Sequence, residues 1–342
     1  MSALTFHYRN GGIHLPQLGL WLDAAQAQTG VERVFVSHAH SDHIAAHREV
    51  ILSPVTARLL RERLRGRRVE HALGFGEPAA FNGGEVPYRI TLLPAGHILG
   101  SAMAFVEAEG ESLLYTGDFQ LRRSLAAEVC EPVRAVGTDT LIMETTFGRA
   151  NYRFPPAEQV VEDILRFCRD GLARQETPVL YAYSLGKSQE LLCVLGQAGL
   201  PVMLQEQAYQ VTRAYEECGQ RFAPYEVFDP RAAKGKVLIC SPMARRAEGL
   251  QALGKVRTAI VTGWAMDPSC RYRFGTDAAF PLSDHADYPE LLKFVKQVQP
   301  KRVFTLHGFA ADFAESLRDL GFDARPLSEA DQLTLPLFRV TS

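Results

Sequence analysis

The stretch Val34–His43, which reads VFVSHAHSDH, constrains this 342-residue chain more than any other. Its first three residues are β-branched or aromatic, which predicts a short buried strand. Four polar side chains follow at once, namely His38, His40, Asp42 and His43. A core does not accept imidazole and carboxylate at this density, because each buried polar atom needs a partner. Both groups are zinc ligands, so the stretch predicts a metal site at a strand end, the alternative being a polar loop.

A similar arrangement, a predicted strand followed by a histidine or an acid, recurs along the chain. His97, Asp118 and His307 follow predicted strands, and Glu144 ends another predicted buried strand. A layered α/β protein that carries its site at strand ends explains this pattern.

These residues resemble the metallo-β-lactamase fold, whose signature is H-x-H-x-D-H after a strand, and within it the β-CASP nucleases. The stretches TGDF, ETTFG, YRFPP and SDHADY are most similar to bacterial ligase-associated DNA exonucleases, a group that also resembles mRNA 3′-end-processing factors. The resemblance implies an α/β protein, a metallo-β-lactamase αββα sandwich with an inserted β-CASP cap domain. We expect residues 1–154 and 281–342 to form the sandwich and residues 155–280 to form the cap.

The resemblance also implies two zinc ions, with manganese as a competing metal. The implied ligands are His38, His40 and His97 for one ion, Asp42, His43 and His307 for the other, and Asp118 with a hydroxide between them. A shared carboxylate offsets the repulsion of two dications about 3.5–4 Å apart. Asp23 matches an acid that supports the metal histidines from behind, although an Asp at a strand end is otherwise a common turn or cap residue.

Two further positions match catalytic motifs of the resembled family. Glu144 matches the acid that hydrogen-bonds a downstream histidine, and His285 matches that histidine. We expect Glu144 to position His285, which then protonates the leaving oxygen or holds the scissile phosphate. Asp42, Glu144 and His285 are therefore the predicted catalytic residues.

The implied function is a zinc-dependent DNA exonuclease of repair, with a DNA ligase or helicase as partner. An RNA-processing exo- or endoribonuclease is the alternative within the family, since a histidine at the His307 position is typical of RNA-processing members. A thioesterase or lactonase of the same fold needs the metal loop but neither His285 nor a basic cap. A non-catalytic nucleic-acid-binding protein is disfavoured because every ligand position is filled.

Three stretches are candidates for binding a nucleic-acid backbone. Lys187 and Ser188 open a predicted helix after a strand, where phosphate binds well; this is not a P-loop, since Tyr181 stands where the first glycine belongs. Residues 231–257 hold seven Lys or Arg and one acid, with Arg245 and Arg246 in a predicted helix start. The predicted helix 54–68 carries six arginines. For the last two, the alternative is a solvated surface.

Composition limits the remaining choices. A net charge of −2 gives no overall attraction to nucleic acid, so a phosphate site must be local. Six scattered cysteines without a C-x-x-C pair predict reduced thiols in a cytoplasmic protein. The sequence predicts no membrane segment and no secretory signal. We also expect a helix over Ile44–Val50 and a last strand near Leu333–Val340.

Overall fold

The computed structural model of the chain describes residues 5–9, 11–246 and 248–327, with the backbone alone at 245, 246 and 248. It divides into a first unit of residues 1–123, 128–153 and 285–342 and a second unit of residues 124–127 and 154–284. The chain therefore returns to the first unit at 285, not at the expected 281, because Leu282 packs in the core of the second unit. The strand expected near Leu333–Val340 lies outside the described residues.

The first sheet has six strands in chain order. They are β1 (His7–Arg9), β2 (Gly12–Leu15), β3 (Leu20–Leu22), β4 (Arg33–Phe35), β5 (Glu49–Leu52) and β6 (Val69–Ala72), with helix α1 (Pro54–Arg63) between the last two. Helix α1 begins after Ser53, whose Oγ accepts the Thr56 N–H over 3.0 Å, as expected of an N-cap. The helix predicted over Ile44–Val50 is wrong, because residues 44–48 form neither helix nor strand and Glu49 and Val50 begin strand β5.

The second sheet begins with antiparallel strands. They are β7 (Ala79–Phe81), β8 (Tyr88–Pro94), β9 (Ala102–Ala108), β10 (Glu111–Tyr115) and, parallel to β10, β11 (Thr140–Glu144). Strand β11 does not alternate between polar and apolar residues and is buried along its whole length. This is expected of a strand that is covered on both faces.

The second unit is an open sheet of six parallel strands in the order β14-β13-β15-β12-β16-β17. Its elements are α2 (Ala157–Ala173), β12 (Thr177–Tyr181), α3 (Lys187–Gln197), β13 (Val202–Leu204), α4 (Glu206–Glu217), β14 (Tyr225–Val227), β15 (Val237–Cys240), α5 (Glu248–Gln251), β16 (Val256–Val261), α6 (Cys270–Phe274) and β17 (Ala278–Phe280). Among the helices of the described residues, none is long and apolar enough to cross a bilayer.

The last segment completes the second sheet. It contributes α7 (Tyr288–Val298), β18 (Arg302–Leu306), α8 (Ala310–Asp319) and β19 (Ala324–Pro326). Strand β18 pairs in parallel with β11, and β19 pairs in parallel with β18, which gives the order β19-β18-β11-β10-β9-β8-β7.

The first unit consists of four layers. Side chains of both sheets share one core, exemplified by Phe35 of the first sheet and Tyr115 of the second. Helix α1 covers the outer face of the first sheet through Ala57 and Leu60. Helices α7 and α8 cover the outer face of the second sheet, where Phe294 is among the fully buried side chains. The predicted αββα sandwich is confirmed.

Candidate metal centre

The predicted ligands lie at an edge of the first unit where strands of both sheets end. Strands β10, β11 and β18 are adjacent and parallel, so Asp118, Glu144 and His307 emerge on the same side. Gly117 has a φ of 53°, and a Cβ added there would lie 2.5 Å from the Cβ of Ser37. This close approach, which only glycine permits, brings Asp118 against the loop that follows β4.

Four ligand side chains converge at this edge, namely His38, His40, His97 and Asp118, with ligand atoms within 4.8 Å of one another. The Nε2 atoms of His38 and His97 each lie 3.0 Å from His40 Nδ1. Asp118 Oδ2 lies 3.5 Å from His38 Nε2 and 3.8 Å from His97 Nε2. His38, His97 and Asp118 are buried.

This donor set fits a zinc ion. The Nδ1 atom of a neutral imidazole carries either one proton or one lone pair, so His40 Nδ1 cannot satisfy both neighbouring nitrogens. A tetrahedral ion with bonds of about 2.0–2.1 Å would hold two nitrogens about 3.3 Å apart, close to the 3.0 Å separations here. Three imidazoles and a carboxylate are also ligands that zinc prefers.

Asp23 fixes the histidine loop from behind. Its carboxylate accepts hydrogen bonds from the Ser37 N–H (2.7 Å), Ser37 Oγ (2.5 Å) and the Tyr115 hydroxyl (2.9 Å). It also contacts His43 Nδ1 at 2.9 Å, which directs Nε2 of that ring toward Asp118, 3.4 Å away. These contacts support the role predicted for Asp23. The sequence did not indicate Ser37 or Tyr115, because no local pattern reports a contact across 92 positions.

Burial and neighbouring charges set the protonation of the cluster. Burial, followed by the positive charge of His43, lowers the pKa of His38 well below its usual value and favours the neutral ligand form. Burial disfavours the charged form of His43, but Asp118 and Asp23 outweigh it and raise the pKa of His43. Burial likewise disfavours ionised Asp118, yet His43 and His285 lower the pKa of that carboxyl.

The remaining predicted ligands are more widely spaced. Asp42 Oδ2 lies 3.9 Å from His43 Nε2, and its side chain is 79% exposed. The rings of His43 and His307 have centroids 6.0 Å apart. Within the described ranges, no group of three mutually adjacent ligand atoms includes Asp42, His43 or His307. The structure therefore brings the three histidines expected to bind the first ion together with Asp118. The side chains expected to bind the second ion lie farther apart.

Glu144 and His285 form a pair beside this cluster. Glu144 Oε1 lies 2.8 Å from His285 Nδ1, and the carboxylate also accepts the N–H groups of Phe119 and Thr146, each over 3.1 Å. Glu144 is buried, whereas the His285 side chain is 20% exposed. The centroid of the His285 ring lies 4.6 Å from that of His97. Glu144 therefore orients the ring of His285 through Nδ1.

Lys187 and Ser188, predicted to contact phosphate, are interior residues of the second unit. Lys187 is 1% exposed, and its Nζ lies 3.2 Å from Glu190 Oε2 and 3.8 Å from Asp284 Oδ1. Ser188 is fully buried, and its Oγ donates to the Tyr183 carbonyl over 2.7 Å. From these positions neither side chain reaches a phosphate. The sequence could not show that Asp284, far along the chain, lies beside this lysine.

Strand direction splits the basic stretch 231–257. Strands β15 and β16 run parallel to β12 between them. Lys236 and Lys255 precede these strands at the edge formed by the amino ends, the amino edge. Arg245 and Arg246 follow β15 at the opposite edge, the carboxyl edge, and their side chains lie outside the described part of the chain. Strands of four to six residues separate these edges by about 13–20 Å, so the stretch is not one surface.

The arginines of 54–68 are partly engaged with acids. Arg58 pairs with Glu62 at 2.7 Å, and both Arg61 and Arg68 pair with Glu70, at 2.5 and 3.2 Å. Half of the six are therefore paired with acids. Arg58 and Arg61 belong to partly exposed pairs, which favours the solvated-surface interpretation for them, whereas the Arg68 side chain is only 5% exposed.

Comparisons with known proteins agree with this geometry. Residues 278–325 match the family described as "Zn-dependent metallo-hydrolase RNA specificity domain". A "Probable DNA ligase" of Opitutus terrae is 52% identical over 325 residues, which cover 95% of this chain and 31% of that protein. The "5' exonuclease Apollo" of Danio rerio is 26% identical over 325 residues, covering 90% of this chain and 54% of that protein. The chain thus spans about a third to a half of the length of these relatives.

A solved structure shares the fold. The crystal structure of a protein of unknown function from Enterococcus faecalis V583 superposes with a TM-score of 0.55 at 14% identity, covering 80% of this chain and 74% of that one. The αββα layers and the histidine cluster agree with these similarities. The chain has the metallo-β-lactamase fold and is similar to the β-CASP metallo-hydrolases.

Proposed function

We propose that this protein is a metal-dependent phosphodiesterase that hydrolyses nucleic acid, and specifically a DNA exonuclease of repair. The observation that carries the proposal is the convergence of three imidazoles and Asp118 beside a carboxylate-held histidine, His285. A thioesterase or lactonase of the same fold needs the metal cluster but has no use for the His285–Glu144 pair.

The proposed cofactor is a pair of zinc ions, with manganese as the competing metal. We assign His38, His40 and His97 to one ion, Asp42, His43 and His307 to the other, and Asp118 to both. Asp118 Oδ2 lies 3.4–3.8 Å from ring nitrogens of three histidines, which supports its sharing. When bound, the ions supply Lewis-acid activation of water and neutralise charge on the phosphoryl group.

His285 and Glu144 handle the proton of the leaving group in this proposal. The neutral ring carries its proton on Nδ1, donated to Glu144. Nε2 takes a second proton from solvent and transfers it to the leaving oxygen as the P–O bond breaks. Backbone N–H groups of Phe119 and Thr146 also donate to Glu144, which fixes the carboxylate beside the ring. Charged His285 then holds the scissile phosphate until the proton is transferred.

Relatives support DNA as the substrate. The relative at 52% identity is named a probable DNA ligase, and another is named a 5′ exonuclease. This chain matches only 31% of the former, so we propose that a ligase and this hydrolase act on the same DNA ends. The resemblance adds a helicase as a second partner. We propose a cytoplasmic site of action, which the six unbridged cysteines support.

RNA is the second candidate substrate. The match over residues 278–325 is to a domain described by RNA specificity, and it contains His307, the position at which the sequence resembles RNA-processing members. Under this alternative the metal centre and the role of His285 are unchanged.

End-labelled substrates test the proposal. Zinc- or manganese-loaded protein is incubated with single- and double-stranded DNA and RNA of one sequence, and products are resolved by length. We expect DNA to be shortened from one end in single-nucleotide steps. Cleavage of RNA without cleavage of DNA would show that RNA is the substrate. Hydrolysis of thioesters or lactones without any cleavage of oligonucleotides would overturn the assignment as a nuclease.

A further inference from the structure

The loop between β8 and β9, residues 95–101, carries His97 and is held at both of its ends; we call it the His97 loop. At its far end, the Gly100 carbonyl accepts hydrogen bonds from Ser53 Oγ over 2.6 Å and from Thr56 Oγ1 over 2.9 Å. The first turn of α1 therefore fixes the His97 loop beyond the histidine.

At its near end, the His97 loop rests on the residues that follow Asp118. The Gln120 N–H donates to the Ala95 carbonyl over 3.1 Å, and Gln120 Nε2 donates to the Gly96 carbonyl over 3.0 Å. The Gln120 residue is only 1% exposed. Gly96 has a φ of 78°, and a Cβ added there would lie 2.6 Å from the Gln120 carbonyl oxygen, so only glycine permits this approach. The loop of one proposed ligand thus packs directly on the loop of another.

The peptide group between Gly96 and His97 is held at both of its polar atoms. Its oxygen accepts the hydrogen bond from Gln120 Nε2, and its N–H donates to Ser101 Oγ over 3.1 Å. Ser101 is fully buried, and its Oγ also accepts the Ile98 N–H over 3.2 Å. Because a peptide group is planar, contacts at both atoms fix its orientation. They thereby help to set the direction in which the His97 side chain leaves the backbone.

This direction matters because the His97 ring belongs to the metal cluster. Its Nε2 lies 3.0 Å from His40 Nδ1 and 3.8 Å from Asp118 Oδ2. Metal ligands have to be held within about 0.5 Å of their productive geometry by the residues around them. Gln120 follows Asp118 by two residues, so one side chain connects the loops of two ligands of the same ion.

We propose that Gln120, together with Ser101, is a positioning residue that holds His97 at bonding distance from the ion it shares with Asp118. The inference deepens the proposed function, because it rests on the assignment of His97 to the first ion. Neither side chain binds the metal in this proposal, since both act through the peptide group before His97. A merely structural role would lower the stability of the first unit without a selective effect on the metal.

A double-mutant cycle on the full-length protein tests the proposal. Gln120→Met removes the side-chain donor and keeps the backbone hydrogen bond, whereas Ser101→Ala removes the acceptor of the His97 N–H. Each change should raise the dissociation constant of the zinc ion that is lost in His97→Ala, by about 10–100-fold. Because both side chains act on one peptide group, the double variant should bind zinc little more weakly than either single variant. Competition with a fluorescent chelator measures the constants, and melting of the zinc-free proteins verifies that they fold.

Cobalt(II) in place of zinc reports on the geometry of the ligands. Its visible absorption depends on the arrangement of the bound atoms, so both single variants should change the spectrum. Gln189→Met is the matched control, since Gln189 is a buried glutamine of the second unit whose Nε2 donates to the Ser184 carbonyl over 3.1 Å. It should lose a comparable hydrogen bond and keep both the zinc affinity and the cobalt spectrum.

The outcomes separate this inference from the proposed function. Unchanged zinc affinity of His97→Ala would overturn the ligand assignment in the proposed function. Loss of zinc from His97→Ala, with the affinity and the spectrum kept in Gln120→Met and Ser101→Ala, would overturn this inference alone. Losses that multiply in the double variant would show that the two side chains do not act through one peptide group. Where Gln120→Met does not fold, Ser101→Ala tests the same peptide group from its other side.

Discussion

The charges of single residues at the metal centre depend on their carboxylate neighbours. His43 lies between Asp23 and Asp118, which together raise its pKa although the ring is buried. A metal takes imidazole in its neutral form, so an ion that binds His43 must displace this proton. Occupation of the second proposed position is therefore coupled to proton release, whereas His38, held neutral by burial, is already in the ligand form.

His285→Ala should separate turnover from metal binding. The ring contacts Glu144 and is not among the proposed ligands, so we expect zinc content to stay unchanged while the cleavage rate falls about 10²–10⁴-fold. Asp118→Ala should lose both zinc and activity, because the Asp118 carboxylate lies 3.4–3.8 Å from ring nitrogens of three proposed ligand histidines. Zinc is measured by mass spectrometry of the dialysed protein, with His71→Ala as the control. Loss of zinc from the His285 variant would show that its role is assigned wrongly.

Tyr115→Phe should weaken zinc binding without disrupting the core. The change removes only the hydroxyl that donates to Asp23, so the support of the histidine loop is lost but the packed ring stays. Loss of a hydrogen bond that supports metal ligands from behind typically lowers metal affinity about 10–100-fold. Competition with a fluorescent chelator measures the affinity. Tyr88→Phe, another tyrosine of the same core whose hydroxyl neighbours Arg33, serves as the control; an equal effect of both changes would contradict the role of Asp23.

At the scale of elements, patterns along the chain predicted strands and the residues after them, but not contacts between distant elements. The strand ending at Phe35 and the ligand candidates after later strands follow from local polarity. The failed helix over Ile44–Val50 reflects a short apolar run that periodicity alone does not assign. Likewise, no local pattern shows that Lys187 is buried with two acids, or that Tyr115 contacts Asp23, since both depend on tertiary packing.

Gly117→Ala should displace the end of β10 from the histidine loop. The residue has a φ of 53°, and the new Cβ would lie 2.5 Å from Ser37 Cβ. We expect a lower melting temperature and a marked loss of zinc, because Asp118 follows directly. Gly110→Ala is the matched control, since its φ is 81° but nothing lies within 4 Å of an added Cβ. It should cost only backbone strain, about 1–3 kcal/mol, and keep zinc; equal zinc content in both variants would refute the argument.

The two edges of the sheet in the second unit should respond differently to charge removal. Arg245 and Arg246 follow β15 at the carboxyl edge, whereas Lys236 and Lys255 precede strands at the amino edge. Replacing the arginines by glutamine should weaken nucleic-acid binding and flatten its salt dependence, by about 0.7 in slope for each lost contact to a single strand. Replacing the lysines should change neither. Affinities are measured between 50 and 200 mM salt, where the slope of the salt dependence is resolved. The edge whose variants lower the affinity and the slope is the one that contacts nucleic acid.

At the scale of the whole molecule, zinc should stabilise the first unit alone. All proposed ligands belong to that unit. They come from the loops after β4, β8, β10 and β18. Zinc at 100 times its dissociation constant adds about 2.7 kcal/mol to the free energy of unfolding of whatever binds it. Hydrogen exchange of the intact chain, with and without zinc, should therefore show slower exchange in β4 and β10 and no change in β12 and β15. Asp118→Ala should abolish the difference. Equal slowing in both units would contradict the prediction that zinc stabilises the first unit alone.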